Sequence, residues 1–279
     1  VDTDGDGLLD RIYAADTGGV VWRIDLAGLY DHDADASTPP VIVNDRPQVW
    51  SAMPLLSIGR HVYTGISDDR RFFNHADVVQ SRDGYGPFDA VLIGSGDRED
   101  PNGDDVTHYF YMVKDRNIFS GKPPTATLVD TDLVDLTDNC LQTTSCQAAP
   151  DLFNGWRIEL PHTGEKNLAA AVTAGGTIFF TTFTPGEPSA NSCQLSEGTG
   201  RLYAVSLQDA TAIVNFNLAN DDNGPTLERS DVLGSGGIPV EAVPLGPSAV
   251  LVQGQEAGEN IMTTGARVSF KTYWHETLE

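Results

Sequence analysis

The first ten residues, VDTDGDGLLD, place aspartates at positions 2, 4, 6 and 10 around two glycines. Carboxylates this close repel one another unless a cation sits among them. Counted from Asp2, the acids fall at loop positions 1, 3, 5 and 9, with Gly7 sixth and Leu8 seventh. Those are the positions from which a calcium loop supplies side-chain oxygens, a turn glycine and one backbone carbonyl. Calcium accepts roughly six to eight oxygens in flexible geometry, whereas magnesium demands a tight octahedron and keeps its water. The predicted ligands are therefore Asp2, Asp4, Asp6, the carbonyl of Leu8, and Asp10. Position 12 is Tyr13 where a bidentate glutamate would stand, and a strand follows instead of a helix. Asp10 must then close a nine-residue loop, directly or through water, with affinity in the weaker range of roughly micromolar to millimolar. An ion there either braces the entry to the first hairpin or acts as a switch. The competing reading is an empty acidic turn.

Other groups with chemical potential are less organised. Asp31, Asp33 and Asp35 alternate in DHDADA without a glycine or a closing acid, and DREDPNGDD (97–105) is charged without ligand spacing; both read as solvated loops. The six histidines, at 32, 61, 75, 108, 162 and 275, are scattered and form no ligand pair. No nucleophile elbow, P-loop or dinucleotide fingerprint occurs between a strand and a helix. Gly94 and Gly96 of GSGDRED follow a strand and open a polar loop, which reads as a turn and not a phosphate cradle. Thr17, Gly18 and Trp22 have the spacing of a quinone-dehydrogenase blade motif, in one partial copy with Ala14 where an aspartate belongs; Trp22 is better explained as a packing aromatic. The chain is not read as an enzyme. Cys140 and Cys146 stand six positions apart in a polar loop, a pattern that favours a local disulfide and an oxidising compartment over zinc or a redox centre. Three free thiols in a cytosolic protein is the alternative, and Cys193 is left over.

These residues must be held by a fold, and the bulk properties limit which. The 279 residues are 40% hydrophobic, enough for a core, and carry 17 basic against 40 acidic residues, hence 17 − 40 = −23. Such a charge repels nucleic acid and anionic membranes and attracts cations. No apolar run approaches the roughly 18 residues that span a bilayer. The sequence begins inside a motif, so further residues are expected before Val1.

Helical periodicity is nearly absent. Short β-branched or aromatic runs recur around glycine turns, which predicts an all-β chain. In RIYAADTGGVVWRIDLAG, Ile12 to Ala15 meets Val20 to Leu26 across Thr17-Gly18-Gly19. Val20, Trp22, Ile24 and Leu26 share one face, predicted to be the buried one. Comparable units return in FDAVLIGSG with HYFYMVKDRN, in NLAAAVTAGGTIFFTTF, in GRLYAVSLQDATAIVNFN, and in PSAVLVQG with ARVSFKTYWHE. Successive hairpins of this kind predict antiparallel blades of a β-propeller with long loops, a β-sandwich being second. At roughly 40 to 45 residues per blade the chain supplies about four or five. VDTDLVDLTDNCLQTTSCQAAPD (129–151) reads as a surface loop. No linker divides residues 1–279, which form one propeller domain or its carboxyl-terminal portion.

The stretches FDAVLIGSGDRED with YFYMVKDRN, and GWRIELPHTGEKNLAAAVTAGGTIFFTTFTPGEPSANSCQ running into GRLYAVSLQDA, resemble the carboxyl-terminal propeller of the PilY-type proteins of bacterial type IV pili. The resemblance runs from the aspartate loop to TYWHE. It implies a modified seven-bladed propeller with a nine-residue calcium loop, of which the leading blades are missing here. It implies export through the periplasm to the cell surface or pilus tip, beside minor pilins, with adhesion to a surface receptor. It also implies calcium-linked control of pilus extension, retraction and twitching motility. The family's ligands carry over to Asp2, Asp4, Asp6, Leu8 and Asp10, with Asp6 where an asparagine is common. A secreted quinoprotein-like enzyme and a calcium-stabilised glycan- or matrix-binding propeller are the alternatives.

Overall fold

Nine consecutive residues from Gly86 to Gly94, and seven from Tyr109 to Asp115, carry apolar side chains on both faces of an extended chain. A strand of that composition is stable only between two other layers. The computed structural model satisfies this requirement. It describes residues 1–2, 9–26, 51–59, 69–118, 126–146, 149–186, 197–216, 226–234, 236–246, 249–252 and 255–256.

The strands are β1 (Arg11–Ala15), β2 (Val20–Asp25), β3 (Ser51–Ser57), β4 (Asp77–Asp83), β5 (Gly86–Gly94), β6 (Tyr109–Asp115), β7 (Leu128–Val129) and β8 (Val134–Asp135). A short helix α1 (Cys140–Thr143) precedes β9 (Gly155–Glu159), β10 (Val172–Ala174), β11 (Thr177–Thr184), β12 (Thr199–Ser206) and β13 (Ser230–Val232). Then come β14 (Val243–Gly246), β15 (Ala249–Val252) and β16 (Gln255–Glu256). They form four sheets, in the orders β1-β2-β3-β7, β4-β5-β6-β9-β8, β10-β11-β12-β13 and β14-β15-β16. The antiparallel hairpins expected at β1–β2, β5–β6 and β10–β11 are all present, the first pairing Arg11 with Asp25 and Ala15 with Val21. ARVSFKTYWHE lies outside the described residues.

The first three sheets stack face to face in chain order. Val91, Ile93, Tyr111 and Val113 face the first sheet, where they meet Val21, Leu55 and Leu56, joined by Phe72 from the β3–β4 connection. The intervening residues Ala90, Leu92, Phe110 and Met112 face the third, where they meet Ile178, Phe180 and Val205. Phe179, Leu202 and Ala204 on the far side of the third sheet form another core with Val214 and Ala242. Alternation along each central strand thus feeds two interfaces, which is how propeller blades pack.

Two expectations need correction. Within the first hairpin the buried set is Val21, Arg23 and Asp25, while Val20, Trp22, Ile24 and Leu26 are only half-buried. The physical reason is that Arg23 finds a buried ionic partner, Asp115, on the second sheet, while Asp25 pairs with Arg11 and Arg23 beside it. Trp22 instead donates its indole N–H to Asp16 at 2.7 Å, and Asp16 also accepts from the amides of Gly18 and Val20. The Thr-Gly spacing therefore belongs to a turn, in which Gly19 takes φ +76°. Secondly, 129–151 is more than a surface loop. It contributes β8, which pairs in parallel with β9, and buries Leu133 and Leu136. Among the described residues no helix is long and apolar enough to cross a membrane.

Candidate functional site

The aspartate loop enters the first sheet through Asp10 and Arg11. Its two ends are pinned together: the amides of Asp10 and Arg11 donate to the Val1 carbonyl at 2.9 and 3.4 Å, and the Val1 nitrogen donates to the Arg11 carbonyl at 2.8 Å. The Asp10 carbonyl accepts from the amide of Leu26 at 2.8 Å. Gln80 of β4 donates to the carbonyl of Asp2 at 2.8 Å, tying the loop to the edge of the second sheet. Asp2 and Asp10 are thus held at the mouth of a closed loop; Asp4, Asp6 and Leu8 lie outside the described residues. Among the described residues no three His, Cys, Asp or Glu side chains are arranged to hold a metal ion.

Immediately beneath the loop lies a charge network that sequence reasoning missed. Arg11 donates to Asp89 at 3.1 Å and to the Ile118 carbonyl at 2.7 Å. Arg23 donates to Asp25 at 2.9 Å, and to both oxygens of Asp115 at 3.0 and 2.8 Å. The Tyr13 hydroxyl bridges Asp89 and Asp115 at 2.9 and 2.8 Å. Two guanidiniums therefore face three carboxylates, every one of them buried. Burial pushes the Asp89 carboxyl up against the pull of Tyr13 and Arg11. Burial, then Asp115 and Asp89, push the Tyr13 phenol well up, so it stays protonated and donates. The signal was available: charges inside otherwise apolar strands, as in VVWRID, FDAVLIG and YFYMVKD, are rarely buried unpaired. The partners, 78 and 92 residues apart in the chain, were not legible.

At the nearby β4–β5 turn Asp83 accepts two hydrogen bonds from Arg116 and one from Lys114. The Arg116 guanidinium is the main cause holding that carboxyl well below the usual carboxylate range.

A second cluster lies where the third sheet meets the 95–108 segment. Glu165 accepts from Thr182 at 2.6 Å and Tyr203 at 2.9 Å, and its other oxygen is 2.7 Å from Nδ1 of His162. His108, also buried, is lowered to about 3 by desolvation, with Lys166 and Arg70 adding to the effect. It is neutral in the folded protein and gains a proton on unfolding at any pH between that value and the ordinary one near 6.5. Stability is thus fully present above pH ~6.5 and falls as the pH drops through that range, by about 1.4 kcal/mol per pH unit once well below 6.5. Urea midpoints of wild type and His108→Gln between pH 7 and 5 test this: the variant should show the shallower dependence, and parallel profiles would refute it.

Cys140 and Cys146 are joined by a disulfide around α1. Cys193 lies outside the described residues, as do His32, His61, His275 and the DHDADA segment.

No known family profile matches the chain. It is 24% identical over 269 residues to a type IV pilus biogenesis factor PilY1 homolog of Xylella fastidiosa, an alignment covering 87% of this chain and 16% of that protein. The crystal structure of the Pseudomonas aeruginosa PilY1 C-terminal domain matches with a TM-score of 0.60 and 14% identity, over 92% of this chain and 58% of that one. The chain thus spans a small part of the curated relative and little more than half of the solved domain. Central strands buried on both faces and a structural match across nearly the whole sequence lead to one conclusion: this chain has the fold of the PilY1 carboxyl-terminal domain, a β-propeller-like stack of antiparallel sheets.

Proposed function

We propose that this chain is the calcium-binding propeller portion of a type IV pilus biogenesis factor, acting at the cell surface or pilus tip after export through the periplasm. In this reading it works with minor pilins, and calcium occupancy modulates pilus extension and retraction, twitching motility and surface attachment. The observation that carries it is the structural match over 92% of the chain, in step with a sequence match to a pilus biogenesis factor. The disulfide agrees with an oxidising compartment.

The residues present suit calcium. Asp2, Asp4, Asp6, the carbonyl of Leu8 and Asp10 would hold the ion, which when bound supplies the positive charge that four carboxylates need. Arg11, which follows the loop, sends its guanidinium to Asp89, and Gln80 holds the carbonyl of Asp2. Ordering the loop would therefore stiffen the corner shared by the first and second sheets.

Calcium at a hundred times its Kd should stabilise the chain by about 2.7 kcal/mol. For a domain of this size that is a rise in Tm of roughly 5 to 10 °C. Asp10→Ala should lose most of the rise, and in the full-length protein the same change should reduce twitching at unchanged protein level. Equal melting in calcium and in chelator would reject the ion. A calcium-dependent Tm with normal twitching in Asp10→Ala would reject only its role in motility.

A further inference from the structure

The acidic loop DREDPNGDD (97–105) connects β5 to β6 and is largely exposed, yet a buried cation lies beneath it. Lys166, 1% exposed, sends its ammonium to the carbonyls of Asp100, Pro101 and Gly103 at 3.1, 3.0 and 2.5 Å. An ammonium has three donors, and here each finds a backbone oxygen of one loop. Oxygens converging from three residues of one acidic loop are what a hard metal ion would otherwise collect. Around them Asp100, Asp97, Asp105 and Asp104 push the ammonium's pKa up, against a stronger downward push from burial. Asp97 shapes the loop's entry by accepting from the amides of Glu99 and Asp100 at 2.8 and 3.2 Å.

The lysine is delivered by a clamp. Glu165 is anchored to Thr182 and Tyr203 of the third sheet. Lys166 exchanges backbone hydrogen bonds with Phe183 at 3.0 and 2.9 Å. Asn167 bonds to the carbonyls of Ser95 and Thr181 at 3.0 and 2.8 Å. A Cβ at Gly94 would lie 2.4 Å from the Asn167 side chain, and one at Gly96 would lie 2.4 Å from its carbonyl. The GSG sequence thus leaves room for this three-residue segment to press against the loop's base.

We propose that the 97–105 loop is a cation-binding loop whose cation is the chain's own Lys166 ammonium, tethered from the next sheet in place of a metal. The loop is therefore fixed whether or not calcium is present, and removing the ammonium leaves an oxygen-lined cage that calcium can enter.

Hydrogen exchange resolved to the amides of 97–105, in the full chain, tests this apart from any site at 2–10. Wild type should show the same protection in calcium and in chelator. Lys166→Met should lose at least about tenfold of that protection in chelator and regain part of it in calcium. Three results would each overturn the proposal: wild-type protection that follows calcium, a Lys166→Met loop as protected as wild type in chelator, or a variant loop indifferent to calcium. Should Lys166→Met fail to fold, wild type still decides through the ¹⁵Nζ spectrum of its lysines. A triply bonded, buried ammonium gives one slowly exchanging Nζ signal that is unchanged by chelator, whereas only rapidly exchanging signals would refute the arrangement.

Discussion

Arg23→Met lowers the unfolding free energy by about 3 to 5 kcal/mol, read from urea denaturation at neutral pH. The size follows from what the substitution leaves behind. Arg23 is fully buried, and its guanidinium serves Asp25 and both oxygens of Asp115 at once. Without it, Arg11 alone faces Asp25, Asp89 and Asp115 in a space closed to water. The methionine replaces the buried stem, so lost packing contributes little and the uncompensated carboxylates dominate. Asp115→Asn in the same chain removes one of those charges and keeps one acceptor oxygen, for either the Tyr13 hydroxyl or the amide of Asn117, which the carboxylate serves through different oxygens. The double variant should therefore be more stable than Arg23→Met alone, a coupling that a double-mutant cycle reads directly. A loss below about 1 kcal/mol would mean that water reaches the network.

This network also marks the limit of what local sequence reveals. Alternation is a property of a strand and one neighbour, so the hairpins at β5–β6 and β10–β11 were legible from glycine turns and β-branched runs. The choice of inner face at β1–β2 depends on the next sheet. By hydrophobicity Val20, Trp22, Ile24 and Leu26 outrank Val21, Arg23 and Asp25, yet Asp89 and Asp115 make the charged face the buried one. In 129–151 the strands are two residues long and parallel, too short for any periodicity. The same holds for the sites. The proposed calcium loop rests on the spacing from Asp2 to Asp10, a local code contained in a line of sequence. The cage at 97–105 could not, because its charge complement comes from Lys166, more than sixty residues later. Acidic loops of similar composition thus call for opposite readings, and only the position of the nearest cation distinguishes them.

Phe180→Ala should cost a further 3 to 5 kcal/mol, about the range for truncating a buried aromatic. Phe180 has no solvent exposure and stands in a column, 3.9 Å from the ring of Phe110 on the second sheet and 4.6 Å from that of Tyr203 on its own. Removing the ring opens a void between two sheets beside Phe110, which itself packs on Trp156, whose indole is tied to the Leu207 carbonyl and cannot swing freely. Phe180→Leu keeps most of the apolar volume and should cost less than half as much, leaving the aromatic stacking as the remainder. The Tyr203 hydroxyl also bonds Glu165, so the alanine variant should loosen the clamp that carries Lys166 and raise hydrogen exchange at 97–105. Combining Phe180→Ala with Arg23→Met tests the architecture itself. The two residues share no partner and occupy opposite faces of the second sheet, so in a stack held by nearest-neighbour interfaces their costs should add within about 0.5 kcal/mol. A large departure from the sum would mean that β5 and β6 transmit packing from one face to the other, and that the sheets do not respond as separate layers.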